Sequence, residues 1–201
     1  MTQNRKLYRF VLAAILSALI VVMTVVPFTG YISYGGIIEI TTLHIVVIIG
    51  SVFLGWKYGA FLGGVWGLSC VIRALVYSGI PAYVPFINPM VSLVPRIIVG
   101  IVAGLAAGGL LRTKLKPVFS VAIAAAAGTL TNTLLVLSMY YLFGGMIDSI
   151  SAVFELFKTI IMTVISLNGG IELAAAVVIA PAAYTALAKA FGTRERKSEN
   201  R

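Results

Sequence analysis

The sequence predicts an all-α membrane protein, a six-transmembrane-helix bundle with both termini cytoplasmic. Three observations lead there. The 201-residue chain is 60% hydrophobic and only 10% charged, too little charge to cover the surface of a soluble domain of this size. Mean hydropathy is +1.06, and apolar runs recur along the whole chain near the length of about 20 residues that crosses a hydrocarbon core. The basic residues fall in short clusters between alternate runs, the pattern that marks the cytoplasmic side of a membrane protein. The same clustering argues against nucleic acid as the reason for the net charge of +9 and makes lipid the surrounding medium.

Helix 1 is expected at Leu7–Phe28, behind Arg5, Lys6 and Arg9. This stretch imitates a signal peptide, but no small-x-small cleavage pattern follows and the run is long enough to span, so it reads as a retained helix. Helix 2 is expected at Ile40–Trp56 and short, helix 3 at Tyr58–Tyr77, helix 4 at Phe86–Leu111, helix 5 at Pro117–Phe143 and helix 6 at Lys158–Ala190. Lys57 falls between helices 2 and 3, and Arg112, Lys114 and Lys116 between helices 4 and 5. Lys189, Arg194, Arg196, Lys197 and Arg201 close the chain. Twelve of the fifteen basic residues thus lie on one side of a six-span arrangement, which the positive-inside rule makes cytoplasmic. The opposite loops are the Gly/Tyr-rich Thr29–Glu39, the stretch GIPAYVP from Gly79, and Gly144–Phe157 with Asp148 and Glu155. Residues 1–190 read as one substrate-binding transmembrane domain and residues 191–201 as a polar cytoplasmic tail without order. No internal repeat of the kind that builds many secondary transporters is visible.

Small residues recur at helical spacing. Ala14 and Ala18 make a flat strip on helix 1. Gly55, Gly59, Gly63 and Gly67 form a ladder into helix 3, and Gly100, Gly104 and Gly108 another on helix 4. The plain reading of both glycine ladders is packing within the bundle.

The polar residues inside the apolar runs carry the chemistry. Arg96 follows Pro95 in the middle of helix 4, where a charge in hydrocarbon costs about 2.5–3.5 kcal/mol or more. Counting about 1.5 Å per residue, Arg96, Asn132 and Asn168 each lie roughly 15 Å below the outer ends of their helices, with Glu172 one turn deeper and His44 one turn into helix 2. Thr131, Thr133 and Ser166 add hydroxyls at similar depth. Two readings of Arg96 stand side by side: an ion pair with Glu172 that ties helix 4 to helix 6, or a cavity-facing cation that meets an anionic solute through its forked donors. Arg73 is expected to snorkel at the outer end of helix 3. His44 suits hydrogen-bonded packing as well as ligand contact, and the two asparagines suit interhelical hydrogen bonds as well as a solute site. Tyr31, Tyr34, Tyr83 and Phe86, in or beside the outer loops, are interface aromatics that together make a lid; Asn88, near the start of helix 4, is a further candidate for substrate contact.

Other chemistries are excluded. His44 is the only histidine and Cys70 the only cysteine, so neither a disulfide framework nor a His/Cys metal site is available. No cofactor is expected. The chain has no G-x-x-x-x-G-K-[ST] loop for nucleotide hydrolysis. It has no G-x-S-x-G elbow either, because Val71 stands where the last glycine is needed. An enzyme reading is therefore poor.

Nearly the whole chain resembles the substrate-binding S components of energy-coupling factor (ECF) vitamin transporters. The resemblance rests on Ala14-x-x-x-Ala18, ITTLHIVVIIGSVFLGWKYGAFLGGVWGL from Ile40, NPMVSLVPRIIVGIVAGL from Asn88, GTLTNTLLVL from Gly128 and NGGIE from Asn168. One departure is Val46, where related sequences often carry proline, as they do near Trp56. The resemblance implies capture of a vitamin from outside and delivery inward with a membrane-embedded coupling protein (T component) and two ATPase subunits, in a bacterial plasma membrane. It also implies that Ala14 and Ala18 face the coupling protein. The wording of the motifs is closest to the pantothenate branch, and pantothenate offers a carboxylate to Arg96 and amide and hydroxyl groups to Asn132, Asn168 and His44. Riboflavin, folate and cobalamin are the alternatives. Two readings from other classes are a stand-alone secondary transporter with Glu172 as its proton carrier and a structural scaffold with no tight ligand.

Overall fold

The computed structural model describes residues 2–34, 38–80, 83–143 and 151–190. The described side chains are fewer and exclude those of residues 2–5, 33, 34, 38, 39, 151–158, 160, 161 and 190. Its α-helices are α1 (Thr2–Val25), α2 (Leu43–Leu54), α3 (Trp56–Val76), α4 (Pro89–Leu110), α5 (Pro117–Phe143) and α6 (Ser151–Ala190). Five contain stretches long and apolar enough to cross a membrane: Lys6–Val25, Trp56–Val76, Pro89–Leu110, Pro117–Phe143 and Met162–Lys189. The chain is thus a multi-pass helical membrane protein.

The sixth helix, α2, has only 12 residues, about 18 Å of helix, and is shorter than the sequence reading at both ends. The residues before it form an antiparallel hairpin of β1 (Tyr31–Tyr34) and β2 (Ile38–Thr41), with Tyr31 opposite Thr41. The expected Thr29–Glu39 loop is therefore mostly strand. A helix too short to span is tolerated because protein surrounds it. It packs against α1, α3, α4, α5 and α6, and nine of its twelve residues are buried. Non-helical backbone at membrane depth survives only in such a setting.

α4 starts three residues later than the sequence reading, after a 3-10 turn at Val84–Ile87. Asn88 is its N-cap and accepts a hydrogen bond from the Met90 amide at 3.0 Å, meeting one of the orphan donors of a helix start. α6 begins seven residues early and runs for 40; the helix thus takes in part of the expected Gly144–Phe157 loop. Residues 144–150, with Asp148, and the tail 191–201 lie outside the described residues. α5 has the expected ends.

The two glycine ladders face each other. A methyl group added to Gly59 would strike the backbone of Gly100, one added to Gly63 the backbone of Arg96, and one at Gly67 would lie 2.7 Å from Leu93 Cα. The contacts run in opposite order along the two helices, so α3 and α4 are antiparallel and touch backbone to backbone. The ladder ends do not join this seam: Gly108 meets nothing within 4 Å, and Gly55 is needed for its φ of +93° between α2 and α3. α1 buries Ala13 and Ile20 against α2 and α3, around Leu43, Val47, Leu62 and Trp66. Ala14 and Ala18 are on its exposed side.

Gly63→Val is expected to force α3 and α4 apart and to lower stability in detergent by at least about 1–3 kcal/mol, the usual result of overpacking. Gly108→Ala, in open space, is expected to melt at or slightly above the wild type. Thermal unfolding of both proteins checks the pair; equal melting points would mean the seam is not close-packed.

Candidate functional site

The polar residues of five elements converge inside the hairpin end of the bundle. Arg96 lies seven residues into α4, about 10 Å along its axis rather than 15 Å, because α4 begins late. Its burial, at 7% exposure, follows from the glycine seam, since Gly63 brings α3 against the Arg96 backbone. The guanidinium sits 5.1 Å from the Trp66 ring and 6.0 Å from the Phe86 ring, distances at which aromatic faces attract a cation. Arg96 Nη1 donates to the Val91 carbonyl at 2.8 Å. That carbonyl is the one Pro95, lacking an N–H, leaves without its helical partner.

Glu172 on α6 is buried, but it does not pair with Arg96. Its Oε1 accepts a hydrogen bond from the Thr41 backbone amide at 2.7 Å, which ties α6 to the end of β2. The expected structural ion pair is thus absent. Each of the two charges has a backbone partner, in the short charge-assisted geometry that is the stronger kind. Glu172 also lies at the N-terminal end of α2, where a carboxylate is favoured.

His44, in the first turn of α2, is fully buried beside the backbones of Glu172 and Thr41. Asn132 on α5 is buried with Oδ1 unpartnered, as is the Thr129 hydroxyl one turn earlier. Arg96 Nε and Thr41 Oγ1 share that condition among the described residues, while Trp66 faces the Tyr31 hydroxyl. Asn168 on α6 is buried one turn before Glu172. Its neighbour Gly169 packs so closely on Thr133 that a methyl group there would lie 2.6 Å from that side chain, which sets Asn168 and Asn132 at one level. A buried polar atom without a partner costs about 1–3 kcal/mol, and native interiors contain few. Here they gather in the apolar interior of a membrane protein, where the surroundings supply no water to satisfy them.

Not every expected residue joins them. Thr131, Thr133 and Ser166 turn their hydroxyls to the carbonyls of Ala127, Thr129 and Met162 on their own helices. The Asn88 oxygen is engaged as the α4 cap. The Tyr34 backbone is in β1, and its side chain lies outside the described residues. Tyr83 meets Arg73 instead of Arg96, its hydroxyl accepting from Arg73 Nη2 at 3.4 Å. Arg73 does more than snorkel. Its guanidinium is 4.0 Å from the Tyr31 ring, 5.0 Å from Tyr83 and 5.3 Å from Tyr77, so cation–π attraction joins the hairpin, α3 and the stretch before α4. Tyr31 also places its hydroxyl 3.2 Å from Cys70 Sγ.

Thr129, Trp66 and Thr41 were not singled out by the sequence reading. Thr129 had a readable signal, because three residues before Asn132 is the same face of α5. Trp66 and Thr41 had none, since their places depend on α3–α4 contact and on the hairpin. Among the described residues no group of His, Cys, Asp and Glu is placed to hold a metal ion.

The family model for the substrate-specific component of ECF transporters matches residues 8–184. The chain belongs to this family. As an ECF substrate-specific component it is a transport subunit, and the resemblance in its motifs is accounted for. The pantothenic acid transporter PanT of Lactococcus lactis subsp. cremoris is 33% identical over 198 residues, covering 88% of this chain and 93% of that protein. The pantothenate transporter PanT of Leuconostoc mesenteroides subsp. mesenteroides is 33% identical over 97 residues, 47% of this chain and 48% of that protein.

Thr129→Val is expected to raise the stability of the ligand-free protein by about 1 kcal/mol, because it removes an unpartnered hydroxyl without changing shape. The same change is expected to weaken ligand binding. Melting curves with and without ligand check both halves, and a loss of stability without ligand would show that the hydroxyl has a partner.

Proposed function

We propose that this chain captures pantothenate from outside the cell and delivers it inward with a membrane coupling protein and two ATPase subunits. Six segments cross the bacterial plasma membrane, α2 together with the hairpin making the second, and both termini are cytoplasmic. The hairpin end then faces outward, so the buried polar groups lie near the side from which a solute enters. One observation carries the reading: Arg96, Thr129 and Asn132 hold buried polar atoms with no partner among the described residues. Their chemistry matches a small acid bearing an amide and hydroxyls. Arg96 takes the carboxylate, with Trp66 and Phe86 beside it. Asn132, Asn168, Thr129 and His44 take the amide and hydroxyls, and Glu172 stays at the wall. Tyr31, Tyr83 and Arg73 roof the site. The names of the two relatives support the choice of vitamin.

Arg96→Ala is expected to cost about 2–5 kcal/mol of pantothenate affinity, the usual loss for one partner of a desolvated charge pair. Arg96→Lys should restore only part, because a point charge lacks the fork. Calorimetric titration with pantothenate and its neutral alcohol, panthenol, gives the reading: the wild type prefers the acid, and Arg96→Ala loses that preference. Equal preference in both proteins would make Arg96 structural.

Ala14 and Ala18 form the contact with the coupling protein. They are exposed on the outer side of α1 among the described residues, and small residues allow a partner helix close approach. Ala14→Trp or Ala18→Trp is expected to leave pantothenate binding by the isolated subunit intact and to abolish uptake into cells. Uptake that survives both changes would assign the strip to lipid.

A further inference from the structure

We infer that Pro95 is a positioning residue whose missing amide keeps Arg96 away from Glu172. This rests on the reading of Arg96 as the carboxylate-binding group.

Arg96 and Glu172 are both buried, and opposite charges in a medium of low dielectric constant attract strongly. Their ion pair would be the natural resting state of an apolar bundle, and it would occupy the cation that a solute carboxylate needs. The structure holds them apart at two points. The Thr41 amide holds Glu172. The Val91 carbonyl holds Arg96, and the residue at position 95 leaves that carbonyl without its helical partner. In a regular helix the amide of residue 95 donates to the carbonyl of residue 91. Proline has no such donor, and its ring crowds that carbonyl, so the acceptor is left to another group. A helical side chain leans back toward the N-terminus over the preceding turn, which carries the Arg96 guanidinium to that position. The proline creates the acceptor and the next residue fills it. One fork nitrogen is thereby fixed, and Nε has no partner among the described residues.

Pro95→Ala restores the amide, returns the Val91 carbonyl to the helix ladder and releases Arg96 to pair with Glu172. The variant is therefore expected to melt higher than the wild type while binding pantothenate about tenfold or more weakly, as fits the loss of one charged hydrogen bond. Panthenol affinity should be unchanged, so the preference for the acid shrinks. A purely structural proline would alter both ligands together or neither.

The test is a melting double-mutant cycle on the ligand-free protein with Pro95→Ala and Glu172→Gln, run beside titrations of the wild type, Arg96→Ala and Pro95→Ala. The cycle should be non-additive, with Glu172→Gln costing more stability in the Pro95→Ala background, where the carboxylate is paired. Additivity overturns the inference, as does a Pro95→Ala protein that melts lower or fails to fold. If Arg96→Ala loses the acid preference and Pro95→Ala keeps it, the positioning role fails and the reading of Arg96 stands. If Arg96→Ala itself keeps the preference, the reading of Arg96 fails, and the cycle still decides whether Pro95 separates the two charges.

Discussion

Everything at the site depends on the contact between α3 and α4. Gly59 and Gly63 bring the α3 backbone onto Gly100 and Arg96, a distance no larger residue permits. That contact sets Trp66, almost one turn beyond Gly63 on α3, beside the Arg96 guanidinium. It also removes lipid and water from around the charge. In a bilayer no hydrophobic force draws helices together, so close backbone packing must supply the association. The seam thus buries an arginine and at the same time gives it an aromatic neighbour.

Around that seam, groups that attract each other are kept apart by backbone partners. Arg96 bonds to the carbonyl that Pro95 frees, and Glu172 bonds to the amide of Thr41 at the foot of the hairpin. The remaining polar atoms of Thr129 and Asn132 find no partner among the described residues. An interior arranged in this way is less stable than an apolar one of the same shape. The loss is offset wherever a polar solute completes the hydrogen bonds, since a ligand that binds only the folded state stabilises it. If these positions bind the proposed solute, stability and capture are opposed there, as functional sites depart from the rules that govern the rest of a fold.

Much of this was legible in the sequence. The apolar runs gave the bundle, and α5 and the end of α6 fall where hydropathy ends. Arg96, Asn132, Asn168, Glu172 and His44 announced themselves as polar residues in apolar runs, and all are buried. What escaped depends on contacts distant in the chain or on the backbone. The hairpin has four-residue strands, too short for a periodicity to register. α2 is short because five helices enclose it, a fact of tertiary packing. The partners of Arg96 and Glu172 are a carbonyl and an amide, which every residue carries, so side-chain types alone pointed to the wrong pair. Arg73 looked like an interface cation, since its tyrosines come from three separate elements.

The central claim is that the unpartnered groups around Arg96 make a site for a small carboxylate-bearing vitamin. Native mass spectrometry of the detergent-released protein, offered an equimolar mixture of pantothenate, panthenol, riboflavin and thiamine, tests it most directly. The account predicts a single adduct with the mass of pantothenate, absent from the Arg96→Ala protein. An adduct with a neutral or cationic member of the mixture, or none at all, would contradict it.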